Sequence, residues 1–374
     1  MKSPTILILT GEVSGDDWGA GLASQLKKKF PRSCLLGIGG SLMKAQGVKL
    51  IADIDQLSLM GLGGVTTKLP FLFNLRRKVL DVLRDQEVDL IVAIDFAGFN
   101  MSVIKAAYQK GVKVVYYVAP KVWAWGAGRT KNLVQSTDHI AVIFPFEEQL
   151  FTDAGGKATF VGHPLVDHEF PSQDDRSDFC ETWNLDPDRP ILALCPGSRP
   201  REIARHLDLF VHTGQKVIER FPEMQLAIAR SRSIPRAKLW KDQIPLVDEG
   251  RRLLAHSRTG LLKSGTVTLE ACLAGTPFLT VYRTDPLTFF VAKKLLKTRY
   301  LSIPNVIEKK CIVPEILQGD ATPEHLVEKL IPLLKVENAE YQEMFSRFQV
   351  VKRKLGRAGV AERVSGIISS ILEL

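Results

Sequence analysis

Short apolar runs alternate with amphipathic segments along the first half of the chain. The runs have the length of buried strands, and the segments between them, such as Trp18–Phe30 and Met101–Gln109, have helical spacing. This alternation predicts a parallel sheet with helices on both faces. The predicted strands are Thr5–Thr10, Cys34–Ile38, Asp89–Ile94, Val112–Val118 and His139–Ile143.

The pattern restarts in the second half, after a polar stretch, Pro171–Arg189, that we interpret as a linker. The strands predicted there are Ile191–Cys195, Gln225–Ala229, Ile244–Val247, Gly260–Leu262 and Pro277–Val281. We therefore predict an α/β protein whose two Rossmann-like domains, residues 1–165 and 166–340, face each other across a cleft. The terminal segment 341–374 is typical of one or two amphipathic helices, which we expect to fold back onto the first domain.

Composition places the chain among soluble globular proteins. Its 374 residues suffice for two domains, and 45% of them are hydrophobic and 24% charged. No uninterrupted apolar stretch reaches the roughly 18 residues that a membrane-spanning helix needs. Five scattered cysteines without a CxxC pair indicate neither a disulfide framework nor a zinc site. We expect a cytoplasmic protein without a bound metal.

The net charge of +9 and the pI near 9.2 favour anionic partners. The sequence contains no recognisable nucleic-acid module, such as a zinc finger or an aromatic-rich RNP segment. Phosphorylated substrates and a membrane surface are therefore the better candidates, and we expect no nucleic-acid partner.

The stretch Thr259–Gly275 combines a glycine turn with the start of a helix. Ser264 is a good N-cap, Gly265 lets a ligand approach the backbone, and a helix start attracts phosphate. Glu270 lies four residues after Thr266 on the same helical face, where it can accept hydrogen bonds from ribose hydroxyls. These features predict a nucleotide-sugar site, and an ordinary capped helix with a solvated Glu is the alternative.

Acidic residues follow two of the predicted strands. Asp95 ends one apolar strand and Glu12 follows another, both at the carboxyl edge where open α/β sheets bind ligands. A charged group there is costly without partners or a task, so we favour a functional role for Asp95 over capping of the next helix. Asp16 and Asp17 are explained as complements to a helix dipole, whereas Glu12 is not.

Two further loops carry aromatic or basic side chains. Trp123 and Trp125 lie close to Arg129, an arrangement that either shapes a sugar-phosphate pocket or belongs to the core. Ser198 and Arg199 form a turn before a helix, and Arg binds diphosphate through directed, charge-assisted hydrogen bonds. The alternative is a surface loop with a solvated Arg. The phosphate-type turn at Ser264 in the same domain argues against this alternative.

Specific motifs recur from one end of the chain to the other. They are GEVSGD, MGL, IDFAGFN, YYVAPKVWAWGAGR, FPFEEQLF, FVGHPL, PGSRPREI, KSGTVTLEACL, PFLTVYR and YLSIPN. In this order and with this coverage, the chain resembles the lipid A disaccharide synthase family of GT-B glycosyltransferases. VWAW together with PGSR and SGTxxLE is far more specific than a single glycine motif.

The resemblance implies an inverting glycosyltransferase of lipid A biosynthesis. Its reaction would transfer 2,3-diacylglucosamine from UDP-2,3-diacylglucosamine to 2,3-diacylglucosamine 1-phosphate. The products would be the β-1,6-linked disaccharide 1-phosphate and UDP, and no metal or other cofactor would take part.

The resemblance also implies roles for individual residues. Asp95 is the candidate general base for the acceptor hydroxyl, with Glu12 and Asp16 as the other catalytic candidates. The candidates for binding the UDP donor are Ser198, Arg199, Ser264, Gly265, Thr266, Glu270 and Asn305. The candidates for binding the acceptor and its phosphate are Trp123, Trp125 and Arg129. We place His163 at the interdomain hinge. We favour a packed side chain for it at least as much as a catalytic one.

The chain departs from the family pattern in two places. The family usually reads IDAPDFN, whereas Ala97 and Gly98 here replace the Pro and the second Asp. The segment between Ile228 and Leu246 is also shorter than usual, which changes the loop expected to flank the nucleotide base. Another GT-B enzyme acting on a UDP-sugar, such as an N-acetylglucosaminyltransferase or a 2-epimerase, and a non-catalytic lipid- or nucleotide-binding homologue are the alternatives.

The segment Val65–Arg84 places large apolar residues beside cations. The residues concerned are Leu69, Phe71, Leu72, Phe73, Arg76 and Arg77. Apolar bulk next to positive charge suits an interfacial segment on an anionic bilayer, and both implied substrates are lipids. We predict a peripheral membrane protein on the cytoplasmic face of the inner membrane, with a plain core helix as the alternative.

Overall fold

The computed structural model describes residues 3–54, 65–125, 128–170, 175–231, 234–239, 243–286, 289–290 and 298–373, with residues 65–69, 124–125, 128–129 and 238 described by their backbone alone. The chain divides into two compact units, Met1–Asp167 with Leu355–Leu374, and His168–Lys354. Each unit carries its own parallel sheet, which confirms the predicted α/β class with two Rossmann-like domains.

The first unit is built on seven parallel strands in the order β3-β2-β1-β4-β5-β6-β7. These strands are β1 (Thr5–Leu9), β2 (Cys34–Gly39), β3 (Lys49–Asp53), β4 (Leu90–Ile94), β5 (Lys113–Tyr117), β6 (His139–Val142) and β7 (Ala158–Phe160). The central strands β1 and β4 pair in the register Ile6↔Leu90 and Leu9↔Ala93. Every residue of β4 is buried, because helices cover both faces of the sheet.

The helices of the first unit up to residue 167 connect these strands. They are α1 (Val13–Lys29), α2 (Ser41–Ala45), α3 (Val65–Asp85), α4 (Ala97–Gln109), α5 (Val122–Trp125), α6 (Gly128–Val134) and α7 (Pro145–Thr152). In α1, Trp18, Leu22 and Leu26 recur every four residues and form a buried stripe. The basic residues of its last turn, Lys27–Lys29, complement the helix dipole.

The second unit repeats the topology with six parallel strands in the order β10-β9-β8-β11-β12-β13. The strands are β8 (Ile191–Cys195), β9 (Gln225–Ala229), β10 (Leu246–Val247), β11 (Ser257–Lys263), β12 (Phe278–Tyr282) and β13 (Glu315–Leu317). β8 and β11 are the central pair, in the register Gly260↔Ala193 and Leu262↔Cys195. Both sheets therefore have the strand order of a doubly wound nucleotide-binding fold.

The helices of the second unit include one inside the stretch predicted to be a linker. They are α8 (Arg176–Thr182), α9 (Pro200–Arg220), α10 (Gly250–Ala255), α11 (Val267–Ala274), α12 (Ile303–Glu308), α13 (Pro323–Leu334) and α14 (Ala339–Lys354). Phe179 and Cys180 of α8 are fully buried, and the Phe179 ring lies 4.9 Å from that of His256. The linker prediction was thus wrong for the described part of this stretch, because α8 belongs to the core of the second unit.

The two terminal helices belong to different units. α14 packs on α11 and α13 of the second unit. The last helix, α15 (Val360–Leu372), packs on α1 of the first unit. Its start is held by the Asp167 carboxylate, which accepts the N–H groups of Gly359 and Val360 at 2.7 and 3.1 Å.

Candidate active site

The acidic residues predicted at two strand ends lie at the centre of the first sheet. β1 and β4 are neighbours there, with β2 and β3 on one side and β5, β6 and β7 on the other. Glu12 follows β1 and Asp95 follows β4, so both lie where the strand order reverses. Open α/β sheets form a ligand crevice at this point, because the connections on either side leave in opposite directions.

Asp95 begins a turn whose backbone is strained. Its φ is +45° and that of Phe96 is +46°, in the left-handed region that residues other than Gly rarely adopt. The Asp95 N–H donates to the Val118 carbonyl at 3.2 Å. The Asp95 carbonyl accepts from the Tyr116 hydroxyl at 2.6 Å and from the Asn100 side-chain amide at 2.9 Å. Strain that neighbouring groups enforce in this way is concentrated at functional sites.

The Tyr116 hydroxyl donates a hydrogen bond to the Asp95 carbonyl in this turn. Burial, and secondly the negative charge of Asp95, raises the pKa of the Tyr116 hydroxyl well above its usual range. The hydroxyl therefore stays protonated at physiological pH and keeps its bond to the Asp95 carbonyl. The position of Asp95 is fixed by this bond from β5 as well as by its own strand.

The two glycines of the GEVSGD motif are required by close packing rather than by flexibility of the turn. A Cβ at Gly11 would lie 2.5 Å from the Phe96 ring, and one at Gly15 would overlap the Thr10 hydroxyl. Phe96 itself stacks on Phe99 with ring centroids 5.2 Å apart. The loop after β1 therefore packs directly against the turn that carries Asp95.

Asp16, one of the catalytic candidates, has a structural role. Its side chain is buried, and its carboxylate oxygens accept the N–H groups of Gly40, Leu42 and Met43 at 2.6–3.1 Å. The first N–H groups of a helix have no acceptors within that helix. The Asp16 carboxylate is the acceptor for these N–H groups at the start of α2. Both of its oxygens are thus committed to the backbone, and we remove Asp16 from the catalytic group.

Trp123 bonds the buried carboxyl group of Glu147, a residue that was not among the predicted site residues. Its indole N–H donates to Glu147 Oε1 at 2.9 Å, while Glu147 Oε2 accepts the Phe144 N–H at 3.1 Å. Burial raises the pKa of Glu147 to about 7, although these hydrogen bonds lower it. The sequence feature that could have indicated Glu147 is the motif FPFEEQLF, in which Glu147 stands at the capping-box position of a helix. The side chains of Trp125 and Arg129 lie outside the described residues.

His163 is a packed residue, one of the two interpretations considered for it. It is 2% exposed, and its Nδ1 accepts the Leu165 N–H at 3.2 Å. Its ring contacts Trp18 and Phe144, with centroid separations of 6.1 and 5.4 Å.

The PGSR loop lies at the switch point of the second sheet, directly after β8. Gly197 has a φ of +125°, and a Cβ there would lie 2.7 Å from that of Glu202, so the turn requires glycine. The Ser198 N–H donates to Glu202 Oε2 at 3.1 Å. Arg199 precedes the first turn of α9 and keeps 61% of its side chain exposed, so an anionic ligand can reach it.

The SGT turn follows β11, but Ser264 does not cap the helix. Its hydroxyl donates to the Leu301 carbonyl at 2.9 Å, and Thr266 is the residue that precedes α11. The N-cap prediction for Ser264 was wrong because a distant segment takes its hydroxyl. Of the described residues, Lys263 alone has atoms within 4 Å of a Cβ built on Gly265. Apart from the two chain neighbours of Gly265, the described residues approach this position no closer than 3.9 Å, so they leave room for a ligand atom to approach the backbone.

A lysine and a glutamate without predicted roles connect these two loops. Lys263 Nζ donates to Glu202 Oε1 at 2.7 Å, and the two side chains are 14% and 18% exposed. Burial alone would raise the pKa of Glu202, but the Lys263 charge and the bonds from Lys263 and Ser198 bring that pKa below its ordinary value. Both residues stand in the motifs PGSRPREI and KSGTVTLEACL, which was the signal available in the sequence.

Glu270 lies in the first turn of α11 and is paired with Arg251 of α10. The Arg251 Nε donates to Glu270 Oε1 at 3.2 Å, and the side chains are 31% and 22% exposed. This bond orients the carboxylate that was predicted to meet the ribose. No spacing rule links the two residues, so the sequence alone does not indicate a role for Arg251.

Asn305 is a structural residue rather than a donor ligand. It is fully buried, and its amide group donates to the Val313 carbonyl and to Glu315 Oε1, both at 2.8 Å. Its amide oxygen accepts the N–H groups of Ile312 and Val313 at 2.8 and 2.9 Å. The prediction that Asn305 bonds the donor is therefore corrected, because these four bonds occupy its polar atoms.

The cationic side chains near the second switch point are paired with carboxylates. Arg199 precedes α9 and Lys263 ends β11, and they contact Glu202 at 3.8 and 2.7 Å. Arg251 contacts Glu270 at 3.2 Å. Within the ranges that the structure describes, no three His, Cys, Asp or Glu side chains are grouped as they would be around a metal ion.

A sequence profile of the family described as Lipid-A-disaccharide synthetase matches residues 6–363. The chain belongs to the lipid-A-disaccharide synthetase family. A lipid-A-disaccharide synthase of Coxiella burnetii (strain CbuG_Q212) is 33% identical over 376 residues, covering the whole of both chains. One of Haemophilus influenzae (strain PittGG) is 36% identical over 337 residues, covering 88% of this chain and 86% of that one. The predicted family and the glycosyltransferase class are thereby confirmed.

Solved structures similar to this synthetase-family chain share its fold. A putative UDP-N-acetylglucosamine 2-epimerase from Listeria monocytogenes gives a TM-score of 0.69 at 13% identity, covering 100% of this chain and 97% of that one. The calicheamicin glycosyltransferase CalG4 gives 0.62 at 16% identity, covering 100% and 99%. At such low identity the likeness shows the GT-B fold and no more.

Gly98 marks a departure from the synthetase-family pattern, and the structure shows what surrounds it. It lies in the first turn of α4, one residue after Ala97. A Cβ at Gly98 would have no atom of the described residues within 4 Å. The place of the family's second carboxylate has therefore not been filled by a neighbouring described side chain.

The segment predicted to bind the membrane forms the helix α3, which has one buried and one exposed side. Among its described side chains, those of residues 70–85, the buried ones are Leu75, Val79 and Leu83. The partly buried ones include Phe71, Leu72 and Arg76. Phe73 is 70% exposed and Arg77 is exposed, whereas the side chain of Leu69 lies outside the described residues. None of the helices in the described ranges is long and apolar enough to cross a membrane.

Proposed function

We propose that this chain transfers 2,3-diacylglucosamine from UDP-2,3-diacylglucosamine to the 6-hydroxyl of 2,3-diacylglucosamine 1-phosphate. The products are the β-1,6-linked lipid A disaccharide 1-phosphate and UDP. The single observation that carries the proposal is the family match over residues 6–363. The loops at the two switch points provide residues suited to each half of this reaction.

Asp95 is the general base in this proposal. The strained turn after β4 fixes its position, since Tyr116 and Asn100 hold the Asp95 carbonyl. A positioned carboxylate that takes the proton of an attacking hydroxyl contributes roughly 10²–10⁴-fold to the rate. Glu12 follows the neighbouring strand and is the alternative base at this edge of the sheet.

The donor binds the second unit in this proposal. Ser198 and Arg199 of the PGSR loop contact the diphosphate, together with the backbone of the Ser264–Thr266 turn. Support comes from the exposed Arg199 side chain and from the open space beside Gly265. Glu270, oriented by Arg251, accepts hydrogen bonds from the ribose hydroxyls.

The chemical step is an in-line displacement at the anomeric carbon. The acceptor oxygen bonds to C1 from the face opposite to UDP, while the bond from C1 to the diphosphate oxygen breaks. The electron pair of that bond leaves with UDP, and the hydroxyl proton goes to the Asp95 carboxylate. Configuration at C1 therefore inverts. Fixed donors and cations stabilise the charge that grows on the diphosphate.

The acceptor is proposed to reach the first unit from a membrane. Both substrates carry acyl chains, and α3 presents the exposed Phe73 one turn from the cation Arg77. Full burial of a Phe side chain is worth roughly 1.5–3 kcal/mol, and a cation near an anionic surface adds about 1 kcal/mol. These terms favour reversible peripheral binding, on the cytoplasmic face of the inner membrane. Trp123, held by Glu147, and the loop residues Trp125 and Arg129 are the proposed acceptor contacts.

The test of the proposed reaction is the dependence of UDP release on the acceptor. Purified protein is incubated with UDP-diacylglucosamine, with and without diacylglucosamine 1-phosphate, and UDP and lipid masses are followed together. We expect UDP and the disaccharide 1-phosphate to appear in equal amounts and only when the acceptor is present. Conversion of the donor without acceptor would indicate an epimerase instead, and no conversion in either mixture would indicate a binding protein.

A further inference from the structure

Lys263 and Glu202 form a mostly buried ion pair in the second unit, joined at 2.7 Å with 14% and 18% of the side chains exposed. By contrast, Lys216 and Glu324 of the same unit are joined at 3.2 Å and remain 45% and 67% exposed. Moving two charges out of water costs about as much as their attraction returns, so a buried pair is seldom explained by stability alone. The position of the pair points to another role.

The pair lies between the two loops that are proposed to hold the diphosphate. Lys263 directly precedes Ser264, and its Nζ lies 3.9 Å from the position of a Cβ on Gly265. Glu202 Oε2 accepts the Ser198 N–H, so one carboxylate joins the ammonium group to the PGSR loop. The Tyr282 ring, with its centroid 5.7 Å from Nζ, provides a further contact for the cation.

An ammonium group has three N–H donors, and Glu202 accepts one of them. A phosphate oxygen in the open space beside Gly265 would be within reach of another. We propose that Lys263 binds the diphosphate of the UDP-sugar donor directly and stabilises the charge that develops on it as the bond to C1 breaks. Glu202 is the positioning residue that holds the ammonium group beside the turn. This inference rests on the proposed function, because it requires a nucleoside diphosphate in this turn.

Binding of UDP and of uridine, measured by calorimetry, tests the proposal because the two ligands differ only in the diphosphate. Lys263→Met should lower the affinity for UDP about ten- to a hundredfold, the range for one charge-assisted hydrogen bond, and leave uridine binding unchanged. Lys263→Arg should restore most of the UDP affinity, since it keeps the charge. Lys216→Met is the matched control, and it should bind both ligands as the parent does.

The role of Glu202 has its own readout in the same assay. Glu202→Gln should lower UDP affinity in the parent and have a smaller effect in the Lys263→Met background, because part of its action goes through Lys263. The remaining effect comes from its contacts with the Ser198 N–H and with Arg199, whose Nη1 lies 3.8 Å from Glu202 Oε1. Additive effects would show that Glu202 acts independently. Where Lys263→Met does not melt cooperatively, Lys263→Gln replaces it, since Gln keeps a donor for Glu202 without the charge.

The possible outcomes separate this inference from the proposed function. If the parent binds UDP and Lys263→Met binds it equally well, the diphosphate does not contact Lys263, while the proposed reaction stands. If the variant loses UDP and uridine affinity alike, Lys263 only shapes the loop and the inference is overturned. If the parent binds no UDP, the proposed function itself fails.

Discussion

Glu147 offers a test of the first unit that is independent of substrate. Its carboxyl group is 1% exposed and lies between the Trp123 indole and the Phe144 N–H. Burial raises its pKa from an ordinary 4.5 to about 7, and the hydrogen bonds from Trp123 and Phe144 limit the rise. The folded protein therefore keeps a proton on this group over a pH range in which the unfolded chain has lost it.

The sign and size of the effect on stability follow from this difference. The contribution of the protonated group is fully present below about pH 4.5 and is lost as the pH rises through about 7. At about 1.4 kcal/mol per pKa unit, the loss is about 3 kcal/mol. A unit of this size melts roughly 2–4 °C lower per kcal/mol lost, so a change of roughly 6–12 °C is expected.

The assay compares the melting temperatures of the parent and Glu147→Gln between pH 5 and pH 8.5. Gln cannot ionise, so the parent should lose stability relative to the variant as the pH rises, and the other titrating groups cancel in the difference. Glu148→Gln, at the next residue in α7 and only partly buried, is the matched control, and the pH dependence seen with Glu147→Gln should exceed that seen with this control. A flat difference for Glu147→Gln would refute the argument, because it would mean that the buried group loses its proton over the same pH range in the folded protein as in the unfolded chain.

Three further tests address the donor site, the helix α3 and the position of Gly98. Glu270→Ala and Arg199→Ala should each weaken UDP binding about tenfold in calorimetry through lost hydrogen bonds, and parent-like affinity in both would place the nucleotide elsewhere. Phe73→Ser should release the protein from anionic vesicles at unchanged Tm, whereas Leu75→Ser, on the buried side of α3, should lower the Tm; the reverse pattern would make Phe73 a core residue. Gly98→Asp should stabilise the start of α4 by about 0.3–1 kcal/mol, measured as a higher Tm, and a lower Tm would show that the space is not open.

Hydrophobic patterning predicted all the central strands of the two described sheets but only one of their four edge strands, β10. All five strands predicted in each half are present, including Ile191–Cys195 and Gln225–Ala229 with their predicted bounds. The three strands that were not predicted, β3, β7 and β13, all lie at an edge. Every residue of β3 and β7 is partly or fully exposed, so these segments lack the continuous apolar run that marks a central strand.

The location of the candidate site could also be predicted from the sequence. Glycine and charged residues directly after apolar runs mark the carboxyl ends of strands, and this rule placed Asp95, Arg199 and Gly265 in loops that the structure brings to two switch points. The rule needs only local sequence, because a strand end and its following loop are adjacent in the chain.

Individual side-chain roles were harder to predict, because they depend on partners far away in sequence. Asp16 accepts an N–H 24 residues away, the Ser264 hydroxyl bonds a carbonyl 37 residues away, and Lys263 pairs with a glutamate 61 residues away. Local spacing correctly placed Asp16 in the first turn of α1 but gave no signal for its bonds to α2, and a tertiary contact replaced the predicted N-cap role of Ser264.

The assignment of the general base is the central mechanistic claim, and Asp95→Asn tests it most directly. Asn tolerates the left-handed backbone that Asp95 adopts, with a φ of +45°, so the turn should survive the substitution. Acceptor-dependent UDP release is measured at saturating substrates alongside UDP affinity in the same preparation. The account predicts a loss of turnover of roughly 10²–10⁴-fold with UDP affinity unchanged. Turnover close to that of the parent would contradict it and move the base to Glu12.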